Sequence, residues 1–253
     1  MSSLKLPSVY KLIELESCCS TNDEARKLAN LDEQSYPDGT LIWAREQTAG
    51  RGRLGRVWDS PLGNLYLSLI LRPEVPLRTA SQLSFVAALA LFDALGNISD
   101  PGHQIKLKWP NDVLLQDKKV AGILLETQTD RTEKPAWVIL GIGVNVAHFP
   151  KDTVFPATSL FAENWRVSVE ATLQAFAKSF QIWANSWIED GFEKIRLTWL
   201  QRALGLGQTI EVNLENITLK GIFKDLDQHG ALILDRNGTE QRITAGEIYF
   251  PDN

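Results

Sequence analysis

Cysteine, methionine and long apolar runs are scarce in this 253-residue chain, and each scarcity removes a class of function. The two cysteines, Cys18 and Cys19, are adjacent. Neighbouring residues rarely reach good disulfide geometry, and without a C-x-x-C pair there is no zinc-ribbon spacing. A reducing, cytoplasmic setting is the expectation. No uncharged apolar run reaches the ~18 residues of a membrane-spanning helix, and no basic segment leads into an apolar one at the N-terminus. No membrane association is expected. Internal repeats, low-complexity stretches and the Walker pattern G-x-x-x-x-G-K-[ST] are also missing. The net charge of −5 argues against a general nucleic-acid binder, whose affinity needs clustered Lys and Arg.

What is present is concentrated. Gly50-Arg51-Gly52-Arg53-Leu54-Gly55-Arg56, inside Glu46–Trp58, packs three glycines and three arginines into seven positions of an acidic protein. Glycine lets a backbone approach a ligand closely, and arginine supplies a rigid fork of donors for carboxylate or phosphate. The stretch also satisfies G-x-G-x-x-G, yet a dinucleotide fingerprint must open a helix. Here Ser60-Pro61-Leu62-Gly63 and a strand follow, so any anion is held by arginine side chains. Such a loop is expected to be mobile when empty and ordered by a ligand. A solvated hairpin tip is the plainer alternative, and single-stranded nucleic acid stacked on Trp58 is another.

The second unusual stretch is Lys108-Trp109-Pro110-Asn111-Asp112. A lysine in a strand beside a large aromatic either snorkels to solvent or has an anionic partner, because burying a lone ammonium costs several kcal/mol. Lys119, beside Lys118 on a polar hairpin tip, reads by default as solvated surface.

Around these motifs the chain reads as alternating strands and helices. Strands are expected at Val9–Leu15, Thr40–Ala44, Asn64–Leu71, Lys106–Trp109, Val113–Leu115, Val120–Glu126 and Ala136–Val146. In Asn64–Leu71, leucines at every second position face one way while Tyr66 and Ser68 face the other. Helices are expected from Ser20 to Asn30, with capping-box spacing at Ser20/Asp23 or Thr21/Glu24, and from Ser81 to Leu95, stopped by Gly96. Val169–Ile188 carries a stripe of Leu173, Phe176, Phe180, Trp183 and Trp187, read as core. A shorter helix, Phe192–Ala203, precedes Gly205-Leu206-Gly207. Short strands at Thr209–Val212, Ile217–Lys224, Ala231–Asp235 and Gln241–Tyr249 then suggest a small barrel.

In this order and spacing the motifs resemble those of the biotin–protein ligases. The resemblance runs through Ser20-Thr21-Asn22, Glu46–Trp58, Ser60-Pro61, Asn64–Leu69, Lys108–Leu114, Lys119–Glu126, Gly141–Val146 and Gly221–Leu234. It implies an α/β (α+β) fold: a mixed sheet with helices of the biotin/lipoate ligase and class II synthetase type, residues 1–204, followed by an SH3-like barrel, residues 205–253. Only 19 residues precede Ser20, fewer than a winged helix-turn-helix needs, so the monofunctional type without operator binding is expected.

The implied reaction has two steps. Biotin and ATP give biotinyl-5′-AMP, and the biotinyl group then passes to a lysine of the biotin carboxyl carrier protein of acetyl-CoA carboxylase. Mg2+ would arrive on ATP, with no metal site of the protein's own. By motif position Lys119, Lys108, Arg51 and Arg53 are the catalytic cations, which overturns the surface reading of Lys119. Ser20, Thr21, Asn22, Gln47, Gly50, Gly52, Tyr66, Ser68, Gly122, Leu124, Gly141 and Gly143 join these cations at the biotin end. Arg56, Trp58, Asn111 and Asn145, with Arg51, Arg53 and Lys108, belong to the nucleotide side. Leu54 stands where many relatives carry another basic residue, which removes one potential phosphate contact. The resemblance allows a homodimer and implies no nucleic-acid partner. Lipoate–protein ligation shares the fold and a lysine like Lys119, and is the nearest chemical alternative.

Overall fold

Leu65, Leu67 and Leu69 turn one way into a large apolar cluster, while Ile70 turns the other way into a smaller one. That period of two makes an inner strand of a sheet covered on both faces. The computed structural model describes residues 4–99, 102–129, 134–151 and 153–250. Its first part contains β1 (Lys11–Cys18), α1 (Thr21–Leu31), β2 (Thr40–Gln47), β3 (Leu65–Leu71), α2 (Leu77–Ala80) and α3 (Leu83–Ile98). There follow β4 (Ile105–Lys108), β5 (Asp112–Leu115), β6 (Lys118–Thr129), β7 (Pro135–Val144), α4 (Val169–Asp190) and α5 (Phe192–Gln201). The strands form one seven-stranded sheet in the order β1-β2-β3-β7-β6-β5-β4. Only the β1–β2 pair is parallel.

Helix α1 covers one face through Ala25 and Ala29, packed with Ile42, Ile70, Trp137 and Ile139. Helix α3 covers the other and is apolar around most of its circumference, being enclosed by the sheet, α4 and α5. By length and composition Leu77–Ile98 is the one helical stretch among the described residues able to cross a membrane, and 67% of its most apolar window is buried in this core. Gly96 does not stop α3 as expected. A Cβ there would meet nothing within 4 Å, and the helix runs on to Ile98 before Ser99 turns extended.

The second sheet has five antiparallel strands: β8 (Thr209–Asn213), β9 (Thr218–Leu226), β10 (Leu232–Arg236), β11 (Thr239–Ile243) and β12 (Glu247–Tyr249). Their order is β11-β10-β9-β8-β12. The single strand expected at Gln241–Tyr249 is two, because Gly246 at φ 151° turns the chain from β10's side across to β8. Ile210, Phe223 and Leu234 belong to the same apolar cluster as α3, so the interior is continuous between the sheets. The junction is tight. Trp109 Nε1 donates to the Gly230 carbonyl (3.1 Å), and Gly230 sits at φ +84° where a Cβ would collide with the Phe85 ring.

The tryptophan stripe of α4 is only partly core. Trp187 is buried and donates to Gln82 Oε1 (2.8 Å), whereas half-buried Trp183 lies at the rim and donates to Asp93 Oδ2 (2.7 Å). Trp187→Ala should therefore lower unfolding free energy in urea by about 3–5 kcal/mol. Trp183→Ala should cost less than half as much, and equal losses would contradict this division.

Candidate active site

Four chain segments meet above the sheet at the N-terminus of α1. Ser20 has the extended backbone of an N-cap, but its side chain makes no capping bond and the expected capping box is absent. A glutamine from the neighbouring strand takes that role. Gln47 Oε1 accepts from Thr21 N (2.8 Å) and Thr21 Oγ1 (3.1 Å), while Gln47 Nε2 donates to Ser60 Oγ (2.9 Å). Ser68 Oγ donates to Asn22 Oδ1 (2.5 Å) and lies 2.8 Å from Thr21 Oγ1. The result is a neutral wall of hydroxyl and amide groups.

The floor is glycine. Gly122 pairs with Gly143 across β6 and β7, and Leu124 pairs with Gly141. A Cβ on Gly143 would come within 2.6 Å of the Trp58 indole, and one on Gly122 within 3.0 Å. A Cβ on Gly141 would collide with the Asn22 amide. These glycines admit side chains from above the sheet as well as leaving room for a ligand.

The Gly/Arg loop carries hydrogen bonds and ion pairs to several surrounding segments. Thr48 N and Ala49 N donate to the carbonyls of Cys18 and Cys19 (2.9 and 2.8 Å), and Gly52 N donates to Arg56 O (2.7 Å). Arg51 binds Asp23 and Glu126 (2.8 and 3.0 Å), and Arg56 binds Glu247 (2.5 Å). Arg53 Nη1 donates to Asn111 Oδ1 (3.2 Å), and Asn111 Nδ2 to Ile123 O (2.6 Å). Leu54 is 77% exposed in the left-handed region (φ 55°) and lies outside the cavity wall, so a basic side chain there would start from the solvent side.

The two lysines differ in their partners. Lys119 Nζ pairs with Asp112 Oδ1 at 2.6 Å and lies 5.3 Å from the Trp58 ring centroid. Lys108 is buried, and among the described residues it forms no ion pair with a carboxylate. Its Nζ sits 3.9 Å from the Phe155 ring centroid and 5.4 Å from that of Tyr249, an aromatic cradle. Burial pushes the Lys108 ammonium and the Arg53 guanidinium below their ordinary pKa values, with Asp112 opposing both shifts. Glu247 is held below the usual carboxylate range: burial works against this, and Arg56 and Tyr249 outweigh it.

The neutral wall, the glycine floor and the five cations face one cavity of about 530 Å³. Of the residues expected from sequence, Ser20, Thr21, Asn22, Gln47, Arg51, Gly52, Arg53, Arg56, Trp58, Lys108, Asn111, Lys119, Gly122, Leu124, Gly141, Gly143 and Asn145 line it. Gly50, Tyr66 and Ser68 do not. Gly50 is wedged under Ser60 and Trp58, buried Tyr66 donates to the Pro61 carbonyl (2.8 Å), and Ser68 braces Thr21 and Asn22 from behind. Sequence reasoning missed Phe155, Glu247 and Tyr249, which reach the cavity from distant segments, and gave Asp112 no role beyond its motif. Asn145 Nδ2 donates to the Thr158 carbonyl (3.0 Å), and the segment that follows is pinned by Asn64, whose Oδ1 accepts from the N–H groups of Val146, Ala147 and His148 (2.9, 2.9 and 3.0 Å).

A glycine-floored cavity with a neutral polar wall at one end and cations at the other is the site of an enzyme that joins two anionic ligands. Residues 15–145 match the biotin/lipoate A/B protein ligase family, and residues 205–250 match the biotin protein ligase C-terminal domain. The chain belongs to that ligase family. It is 43% identical over 237 residues to the biotin–[acetyl-CoA-carboxylase] ligase of Paracoccus denitrificans, covering 91% of this chain and 97% of that one. It is 37% identical to the bifunctional ligase/repressor BirA of Bacillus subtilis, covering 94% of this chain and 73% of the relative. Among solved structures, the biotin protein ligase of Aquifex aeolicus in complex with biotin and ATP superposes with a TM-score of 0.79. The identity is 30%, over 94% of this chain and 97% of that one.

Gly143→Ala should displace the Trp58 indole and raise the KM for the small acid substrate at least tenfold, with the melting temperature moving by only a few degrees. Unchanged KM would show that the indole tolerates the methyl.

Proposed function

We infer that this protein activates biotin with ATP to biotinyl-5′-AMP and transfers the biotinyl group to a lysine of a carrier protein. The observation that carries the reading is a pair of cations, buried Lys108 and half-buried Arg53, that have no ion-paired carboxylate among the described residues and open onto the same cavity as the neutral wall of Thr21, Asn22 and Gln47. A ureido group needs neutral donors and acceptors. A carboxylate beside an α-phosphate needs fixed positive charge.

In the first step a biotin carboxylate oxygen attacks the α-phosphorus, a P–O bond forms, and the bond to pyrophosphate breaks. Negative charge builds on the α-phosphoryl oxygens, and preorganised cations aimed at it are typically the largest catalytic contribution. Lys108 and Arg53 supply that charge without first breaking an ion pair. Lys119 moves from Asp112 toward the substrate's carboxylate, while Arg51 stays on Glu126 and faces the substrate across the cavity mouth. In the second step the acceptor lysine's amine attacks the acyl carbon and AMP leaves, with the mixed anhydride held by the closed loop until then. Mg2+ would enter on the ATP phosphates and neutralise part of their charge there. The acceptor is the biotin carboxyl carrier domain of acetyl-CoA carboxylase, the substrate in the name of the Paracoccus relative. We place the reaction in the cytoplasm, in keeping with two free thiols.

Pyrophosphate release with biotin as the acid tests the reading, and turnover with lipoate but not biotin would overturn it. Lys108→Ala and Lys119→Ala should each slow adenylate formation by about 10²–10³-fold with the fold retained. Near-normal single turnover would remove that lysine from the mechanism. Because burial depresses the Lys108 pKa, raising the pH neutralises it early. The alkaline limb of kcat/KM should therefore fall below the roughly 10.4 of free lysine and move up in Lys108→Arg. A limb unaffected by that substitution would assign it to another group.

A further inference from the structure

Glu126 lies on β6 two residues beyond Leu124 and does not reach the cavity wall. Its carboxylate nonetheless gathers three side chains, two from α1 and one from the Gly/Arg loop. Oε2 accepts from Asn22 Nδ2 (2.7 Å) and Arg51 Nη2 (3.0 Å), and Oε1 accepts from Arg26 Nη2 (2.9 Å) and Arg51 Nη1 (3.2 Å). Arg51 therefore meets both oxygens as a fork, the geometry that makes an arginine–carboxylate pair strong and directional. Asp23 Oδ1 lies 2.8 Å from Arg51 and 3.2 Å from Arg26, so two cations and two anions form a balanced cluster.

The consequence for Asn22 is orientation. With its amide nitrogen bound to Glu126, its Oδ1 is committed to Ser68 Oγ against Gly141, which fixes the polarity of the neutral wall. The consequence for Arg51 is placement: the first arginine of the loop is held across the cavity mouth from behind. One carboxylate thus touches both the wall and the loop.

We propose that Glu126 is a positioning residue that couples the neutral end of the cavity to closure of the Gly/Arg loop, so that the reaction intermediate is retained. The proposal rests on the biotin–ATP reading above. Exposed ion pairs are individually weak, and a surface network alone would add little. What sets Glu126 apart is that its partners include a cavity-lining amide and the loop, whereas Arg26 touches only the cluster.

The test is the dissociation rate of added synthetic biotinyl-5′-AMP from the intact protein, the Glu126→Gln, Arg51→Gln and Arg26→Gln variants, and the Glu126→Gln/Arg51→Gln double variant. A glutamine presents one amide donor to a site already crowded with donors and cannot meet the arginine fork. Glu126→Gln should release the adenylate at least tenfold faster and raise the KM for biotin, while single turnover at saturating substrates changes less than threefold. The double variant should be no faster than the faster single one, the non-additivity of residues acting as a unit. Arg26→Gln should stay within twofold of the parent. Unchanged release in Glu126→Gln, additive effects, or an equal effect of Arg26→Gln would each overturn the proposal. A parent protein that neither binds the adenylate nor makes pyrophosphate from ATP and biotin would instead defeat the functional reading, and this proposal with it.

Discussion

Positive charge confined in a small space is the interaction on which the rest of the structure depends. Arg51, Arg53, Arg56, Lys108 and Lys119 all face one cavity. Two like charges about 4 Å apart repel by about 4 kcal/mol at an effective dielectric near 20. The chain answers by bringing carboxylates from separate segments to three of them: Asp23 and Glu126 to Arg51, Glu247 to Arg56, and Asp112 to Lys119. Arg53 and Lys108 are treated differently. One donates to a neutral amide and the other rests on aromatic faces, and both are left below their ordinary pKa by burial.

The fold follows from that requirement. Paired glycines on β6 and β7 lower the floor so that Trp58 and Asn22 can lie close to the sheet. The second sheet is part of the site as well, because Glu247 and Tyr249 on β12 close the cationic end. Its attachment through Gly230 to Trp109 and Phe85 fixes it beside the strand that carries Lys108. Displacing that sheet would expose an arginine and a lysine together.

Much of this was legible in the sequence where the signal is local. The alternation of Leu65, Leu67 and Leu69 gave the sheet face, and the order of the Gly/Arg and Lys-Trp-Pro-Asn-Asp motifs pointed to the ligase family and to most of the cavity wall. What escaped depends on distance. Glu126 and Glu247 look like ordinary surface acids, and only the fold brings them to Arg51 and Arg56. The capping box at Ser20 misled because Gln47, 26 residues from Thr21, outcompetes the local side chains for the helix N-terminus. Gly96 misled for the opposite reason: nothing in its surroundings requires the helix to end there.

The central claim is that the neutral wall and the cationic end belong to one cavity that takes both substrates. Isothermal calorimetry of biotin, with and without a non-hydrolysable ATP analogue and Mg2+, measures this directly. Shared occupancy predicts that the analogue changes biotin affinity at least fivefold and that biotin changes analogue affinity by the same factor, as linkage requires. Biotin affinity identical in the presence and absence of saturating analogue would contradict the account.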